Sequence, residues 1–188
     1  EEMVALNAET VVHHETQLQL LRHRRKDVSQ ALWLKIDTGM HRLGFPAADA
    51  RWVYAELEKL RSKQPTILMT HFACADDSAN PMSLLQIQRF EEATMGLPGS
   101  CSLANSAGML NFPQSQREYV RPGIMLYGIS PCRRKSAEEI GLKPVMTLQC
   151  ELIALNNVDA GETIGYGAAY TCREPRRIGI AAIGYGDG

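Results

Sequence analysis

Charge of one sign is missing from this sequence: 20 Lys and Arg stand against 21 Asp and Glu, a formal net charge of −1. No global field therefore draws the chain to nucleic acid or to an anionic membrane. The densest basic run, Arg22-His23-Arg24-Arg25-Lys26, follows the apolar Leu18 and Leu21 and reads as a helix C-terminus, where cations suit the dipole. Paired cysteine motifs are missing too. The five cysteines, at 74, 101, 132, 150 and 172, are odd in number and form no CxxC. That argues against a disulfide framework or a cysteine zinc site and suits a reducing, cytoplasmic setting. Long apolar runs are absent, so no segment reads as a bilayer span, and no secretory leader is visible. There is no Walker loop, no GxGxxG followed by an acidic residue and no HExxH. Asp76-Asp77 lacks a matching ligand set, so no metal site is expected. Ser106 lacks a GxSxG frame, which argues against a serine hydrolase.

What is present is an ordinary globular mixture, 45% hydrophobic and 22% charged over 188 residues, with room for one large or two small domains. Short β-rich runs alternate with helical patterns. Val11-Val12 leads into a helical stretch from about Glu15 to Lys26, and Ala31 to Ile36 reads as a strand. Ala50, Val53, Leu57 and Leu60 share a helical face, and Thr66 to Thr70 is a strand again. Ser83 with Gln86 resembles a capping box opening a helix through Leu84, Ile87 and Phe90. Cys101 to Ala104 and Tyr119-Val120 are further strands, with Ile124 to Tyr127 following closely. This alternation predicts a parallel sheet with helical crossovers. After Pro144 the pattern changes. Val145 to Val158 is a long strand-like run, Gly161, Gly165 and Gly167 punctuate the next stretch, and Arg177 to Ile183 is β-rich. A boundary is expected between Pro131 and Pro144, giving domains over 1–138 and 139–188.

Polar or ionisable residues close successive strands: His13-His14, then Lys35 with Asp37-Thr38-Gly39, then Thr70-His71, Asn105-Ser106, and Arg121-Pro122-Gly123. In a (β/α)8 barrel that end carries the active site; a doubly wound sheet favours the same ends. Asn105-Ser106-Ala107-Gly108 opens a helix in a way that suits an anion such as phosphate. Gly123 offers a second close backbone approach, although both are also compatible with routine turns.

Six segments, in order, resemble the alanine racemase family. They are Leu34 to Gly44 (LKIDTGMHRLG), Thr70 to Asp76 (THFACAD), Leu103 to Gly108 (LANSAG), Val120 to Gly128 (VRPGIMLYG), Ile164 to Tyr170 (IGYGAAY) and Ile183 to Gly188 (IGYGDG). The resemblance implies an α/β fold: part of a TIM (β/α)8 barrel that binds pyridoxal 5'-phosphate, followed by the start of a mostly β domain. It also implies a homodimer with a shared active site, alanine as substrate, and a role in D-alanine supply for peptidoglycan. Tyr166 matches the tyrosine that acts on the α-proton of L-alanine from across the dimer interface. Arg121 matches the arginine facing the pyridine nitrogen, and His71 the residue stacked near the cofactor ring. Ser106, Gly123 and Ile124 match phosphate contacts, and Asn105 lies in that turn. Arg42 matches an arginine near the phenolic oxygen and the substrate carboxylate. Lys35 matches a lysine often carbamylated in the family, and Tyr185 a tyrosine lining the substrate entry. Racemisation needs an acid or base on each face of the α-carbon. A tyrosine titrating near 10 must be activated for that work. Arginine stays charged, so Arg121 can donate to the ring nitrogen but cannot protonate it, which favours simple proton transfer. A carbamylated Lys35 would form a charge-assisted pair with Arg42.

One departure stands out. The family's cofactor lysine lies in an Ala-Asn-Ala-Tyr-Gly-His-Gly context that the 188 residues do not contain. With Glu1 at one end and Gly188 inside a motif at the other, the chain is expected to be a central fragment. It is expected to be inactive alone, and prone to aggregate through exposed strand edges and apolar surface. Alternatives are a broad-specificity amino-acid racemase on the same scaffold, or a non-catalytic truncation serving as an interaction module.

Overall fold

The computed structural model describes residues 6, 8–23, 30–60 and 64–187. It falls into two compact units, Glu1–Val145 and Met146–Gly188.

The first unit is built on strands β1 (Thr10–Val12), β2 (Leu32–Asp37), β3 (Phe45–Pro46), β4 (Ile67–Met69), β5 (Cys101–Asn105) and β6 (Tyr119–Arg121). They form one sheet in the order β1-β2-β4-β5-β6, every pair parallel, with β3 added beside the end of β2. The register carries Val12 beside Leu34, Leu34 beside Leu68, and Ser102 beside Tyr119. Alternation along β2 sorts its two faces. Leu32, Leu34 and Ile36 are buried in the hydrophobic core, while Trp33, Lys35 and Asp37 lie half-buried on the other side. There Trp33 packs against Tyr119 with ring centroids 5.2 Å apart.

Among the described residues four α-helices accompany the sheet: α1 (Glu15–Arg22), α2 (Ala50–Glu58), α3 (Met82–Thr94) and α4 (Ser106–Asn111). Helix α1 opens with a reciprocal cap. His14 Nδ1 accepts from the Thr16 amide at 3.2 Å, and Gln17 Oε1 accepts from the His14 amide at 3.1 Å. It ends at Arg22; the expected continuation through Arg24, Arg25 and Lys26 lies outside the described residues. On α2 the predicted face of Ala50, Val53 and Leu57 is fully buried, with Leu60 packed beside it. The capping box expected from Ser83 and Gln86 does not form. Helix α3 begins a residue earlier, after Pro81, and its first amide, on Met82, donates to Asn80 Oδ1 at 2.9 Å. Ser83 and Gln86 therefore fall inside the helix, and both are fully buried.

Between β2 and β3 the chain folds back tightly. A Cβ on Gly44 (φ +130°) would stand 2.8 Å from the Asp37 nitrogen, so only glycine fits both the conformation and the space. After β6, Ile124–Tyr127 forms a 3-10 turn.

The second unit is mostly β: β7 (Leu152–Val158) pairs antiparallel with β10 (Arg176–Ala181), and β8 (Thr163–Ile164) with β9 (Tyr170–Thr171). The strand expected from Val145 starts only at Leu152, because β10 supplies partners no further than that residue. Among the described residues no helix is long and apolar enough to cross a membrane.

Candidate active site

The parallel strands of the first unit bring their carboxyl ends together around a cleft of about 420 Å³, lined by His71, Asn105, Ser106, Arg121, Gly123 and Ile124 among others. Six of the residues singled out in the sequence thus share one cavity. Asn105 caps α4, its Oδ1 accepting from the Gly108 amide at 2.9 Å. Ser106 Oγ accepts from the Gly123 amide at 2.7 Å and the Met125 amide at 3.5 Å, tying the turn after β5 to the turn after β6. Its own hydroxyl proton stays available to an acceptor in the cleft.

Arg121 is half-buried at the end of β6. Its guanidinium donates to the carbonyls of Ser102 (2.9 Å), Thr70 (2.5 Å) and Leu103 (3.4 Å), and closely to Ser102 Oγ. Among the described residues no carboxylate pairs with it. Burial brings its pKa down to about 10, so it remains a cation at neutral pH. His71 is half-buried on the loop after β4. Burial, with the charges of Arg121, Lys35 and Arg42, pushes its imidazole down to about 4, so it is neutral and able to accept. Burial and the cations Arg42 and Arg121 also lower Lys35, against a smaller opposing pull from Asp37. Asp37 is committed elsewhere: its Oδ1 takes the amides of Gly39, Met40 and His41 at 2.9, 3.0 and 3.1 Å, and His41 Nδ1 lies 3.2 Å from Oδ2. Burial pulls Asp37 upward, and those backbone hydrogen bonds together with His41 carry it below the usual carboxylate value.

The strand ends therefore hold Lys35, Arg42 and Arg121, while Asp37 is turned to its own loop and Asp76, which lines the cleft, is paired with Arg133. Such a set suits a ligand carrying negative charge. Pyridoxal phosphate, with its phosphate and phenolate, meets that requirement. A Cβ on Gly123 would stand 3.9 Å from Ser106 Oγ, in the cradle where the two turns meet.

Tyr166 and Tyr185 belong to the second unit. Tyr166 opens a 3-10 turn (Tyr166–Ala168), Tyr185 follows β10, and both side chains are fully exposed. Asp76 is taken up by an ion pair with Arg133 at 2.6 Å, and the described residues contain no metal-holding cluster.

Sequence reasoning missed a buried polar group behind the cleft. Gln86 bonds to His71, Ala73 and Thr38, and Thr38 Oγ1 lies 2.8 Å from Thr70 Oγ1. The signal was there: Gln86 sits at helical spacing with Ser83, Ile87 and Phe90, and a glutamine in an apolar stripe needs buried partners.

A parallel α/β sheet with a cationic cleft at its carboxyl ends, followed by a β unit, defines a partial (β/α)8 barrel with the start of a β domain. The sequence models of the alanine racemase N-terminal domain and C-terminal domain match residues 1–131 and 145–188. The chain belongs to the alanine racemase family. It is 46% identical over 187 residues to the alanine racemase of Shewanella amazonensis, covering 99% of this chain and 51% of that protein. Its fold is similar to the biosynthetic alanine racemase of Pseudomonas aeruginosa, with a TM-score of 0.92 and 39% identity over 100% of this chain and 52% of that one. The alanine racemase of Acinetobacter baumannii is similar with a TM-score of 0.86 and 36% identity over 99% and 52%. The chain spans about half the length of the curated relatives it matches.

Proposed function

We propose that this chain supplies the cofactor-facing part of a pyridoxal-phosphate-dependent alanine racemase, interconverting L- and D-alanine in the cytoplasm for peptidoglycan. The observation that carries the reading is Arg121, a cation locked to strand-end carbonyls and, among the described residues, paired with no carboxylate. When bound, the cofactor supplies the electron sink that makes an amino acid's α-proton removable. Ser106, Gly123 and Ile124 hold its phosphate, with Asn105 fixing that turn. Arg121 donates a hydrogen bond to the ring nitrogen without transferring a proton. His71 packs near the ring as a neutral imidazole. Arg42 receives the substrate carboxylate, and Lys35, as a carbamate, holds Arg42. Tyr166 moves the proton on the L-alanine face from across a homodimer interface, and Tyr185 lines the entry.

The family's cofactor lysine lies in a segment these 188 residues do not contain. The test is therefore a chimera in which this chain replaces the matching half of the Pseudomonas aeruginosa enzyme. We expect it to form D-alanine from L-alanine with added pyridoxal phosphate, while the 188-residue chain alone forms none. A folded chimera with no racemisation overturns the proposal. Product from the chain alone would show that another lysine carries the cofactor.

A further inference from the structure

Helix α3 is fastened to the strand ends through one side chain. The carboxamide of Gln86 is fully buried and uses both of its ends. Oε1 accepts from the Ala73 amide at 2.9 Å, while Nε2 donates to the His71 carbonyl at 2.9 Å and to Thr38 Oγ1 at 3.2 Å. The two backbone groups flank Phe72, itself buried, so the loop after β4 is gripped much as a neighbouring strand would grip it. An amide N–H demands the oxygen end and a carbonyl demands the nitrogen end, which fixes the carboxamide's orientation. The contact also reaches further. Thr38 Oγ1 lies 2.8 Å from Thr70 Oγ1, and the Thr70 carbonyl accepts from Arg121. The Thr38 carbonyl accepts from Arg89, on the same helix, at 3.1 Å.

We propose that Gln86 is a positioning residue: it holds the His71 backbone, and with it the imidazole, against Arg121, and through Thr38 and Thr70 it steadies the strand ends that seat Arg121. Its importance for turnover rests on the racemase reading; its effect on His71 does not. A residue that only filled space would leave unpaired the very groups that Gln86 satisfies, and a buried amide or carbonyl without a partner rearranges toward water. The loop would then carry His71 outward, away from the burial and from the cations that face it: Arg121 on β6, Lys35 on β2 and Arg42 on the turn after β2.

The titration of His71 in the 188-residue chain, at a dilution where light scattering shows no self-association, reports this directly. We would follow the five histidines by NMR with ring-labelled histidine, assigning His71 by its loss in His71→Asn. In the unsubstituted chain the midpoint is expected at about 4. In Gln86→Met it is expected to rise by about one pH unit or more, toward the ~6.5 of a free imidazole. Ile87→Val, a core truncation at the next position of the same helix, is expected to leave it at its starting value. An unmoved midpoint in Gln86→Met, or an equal shift in Ile87→Val, overturns the proposal. Should Gln86→Met fail to fold, hydrogen exchange at the Ala73 amide of the unsubstituted chain decides. Protection well above the neighbouring loop amides supports the clamp, and exchange at an open-loop rate overturns it. Neither measurement needs cofactor or turnover, so an inactive chimera would sink the racemase reading without touching this one.

Discussion

Arg121 and His71 carry the site's electrostatics, and each makes a prediction at its own scale. Arg121→Met would take the guanidinium donor from the carbonyls of Thr70 and Leu103 and would leave the Ser102 carbonyl with the Thr70 amide alone. The loss of charge-assisted bonds is expected to cost about 1.5–3 kcal/mol in a urea titration. Burial and the facing cations push the His71 imidazole down to about 4 in the folded chain, from an ordinary value of 6.5. The unfolded chain therefore binds a proton that the folded chain refuses across that window. Its contribution to stability is complete above 6.5 and is lost as pH falls toward 4. The urea midpoint is expected to fall over that range and to fall less in His71→Asn; equal slopes would contradict this. These residues were legible from sequence because each closes a strand within a segment of known type. Gln86 was not. Its spacing to Ser83 imitated a cap, and only the true start of α3, after Pro81, shows that both side chains point into the core.

At the level of elements, two positions test whether the local account is right. Gly44→Ala would force a side chain into a left-handed conformation 2.8 Å from the Asp37 nitrogen. It is expected to destabilise the first unit by about 1–3 kcal/mol, measured by thermal melting. Ser83→Ala removes a fully buried hydroxyl that has no hydrogen-bond partner among the described residues. It is expected to be neutral or stabilising by up to about 1 kcal/mol, since nothing is left unpaired and a desolvated oxygen is removed. Strand positions were readable because β2, β4 and β5 are apolar runs with polar residues at their ends. Strand lengths were not. β7 stops where β10 stops pairing with it, and the partner of a strand is not written in the strand.

For the whole molecule, the parallel order β1-β2-β4-β5-β6 leaves β1 and β6 without an outer neighbour among the described residues. Exposed apolar side chains, including Tyr119, Val120, Leu152 and Ile153, accompany these edges and the second unit. The isolated 188-residue chain is expected to self-associate with rising concentration, as unpaired edges and apolar patches do. Light scattering across a dilution series checks this, and a strictly monomeric chain at all concentrations would contradict it. Alternation of strand and helix was enough to predict the parallel sheet, but not its closure, because periodicity says which faces are buried and not how far a sheet curves.

The seat of Arg121 has a consequence for descent. The cation that would face the cofactor ring is also the donor shared by the carbonyls after β4 and along β5. A lineage drifting toward a different reaction on this scaffold would want another residue at that point. It could not install one without leaving the Thr70 and Leu103 carbonyls short of a donor, and that loss of stability would fall on the strand ends themselves. Selection for folding would thus bear on the residue that would face the cofactor, even in copies whose catalysis is no longer needed.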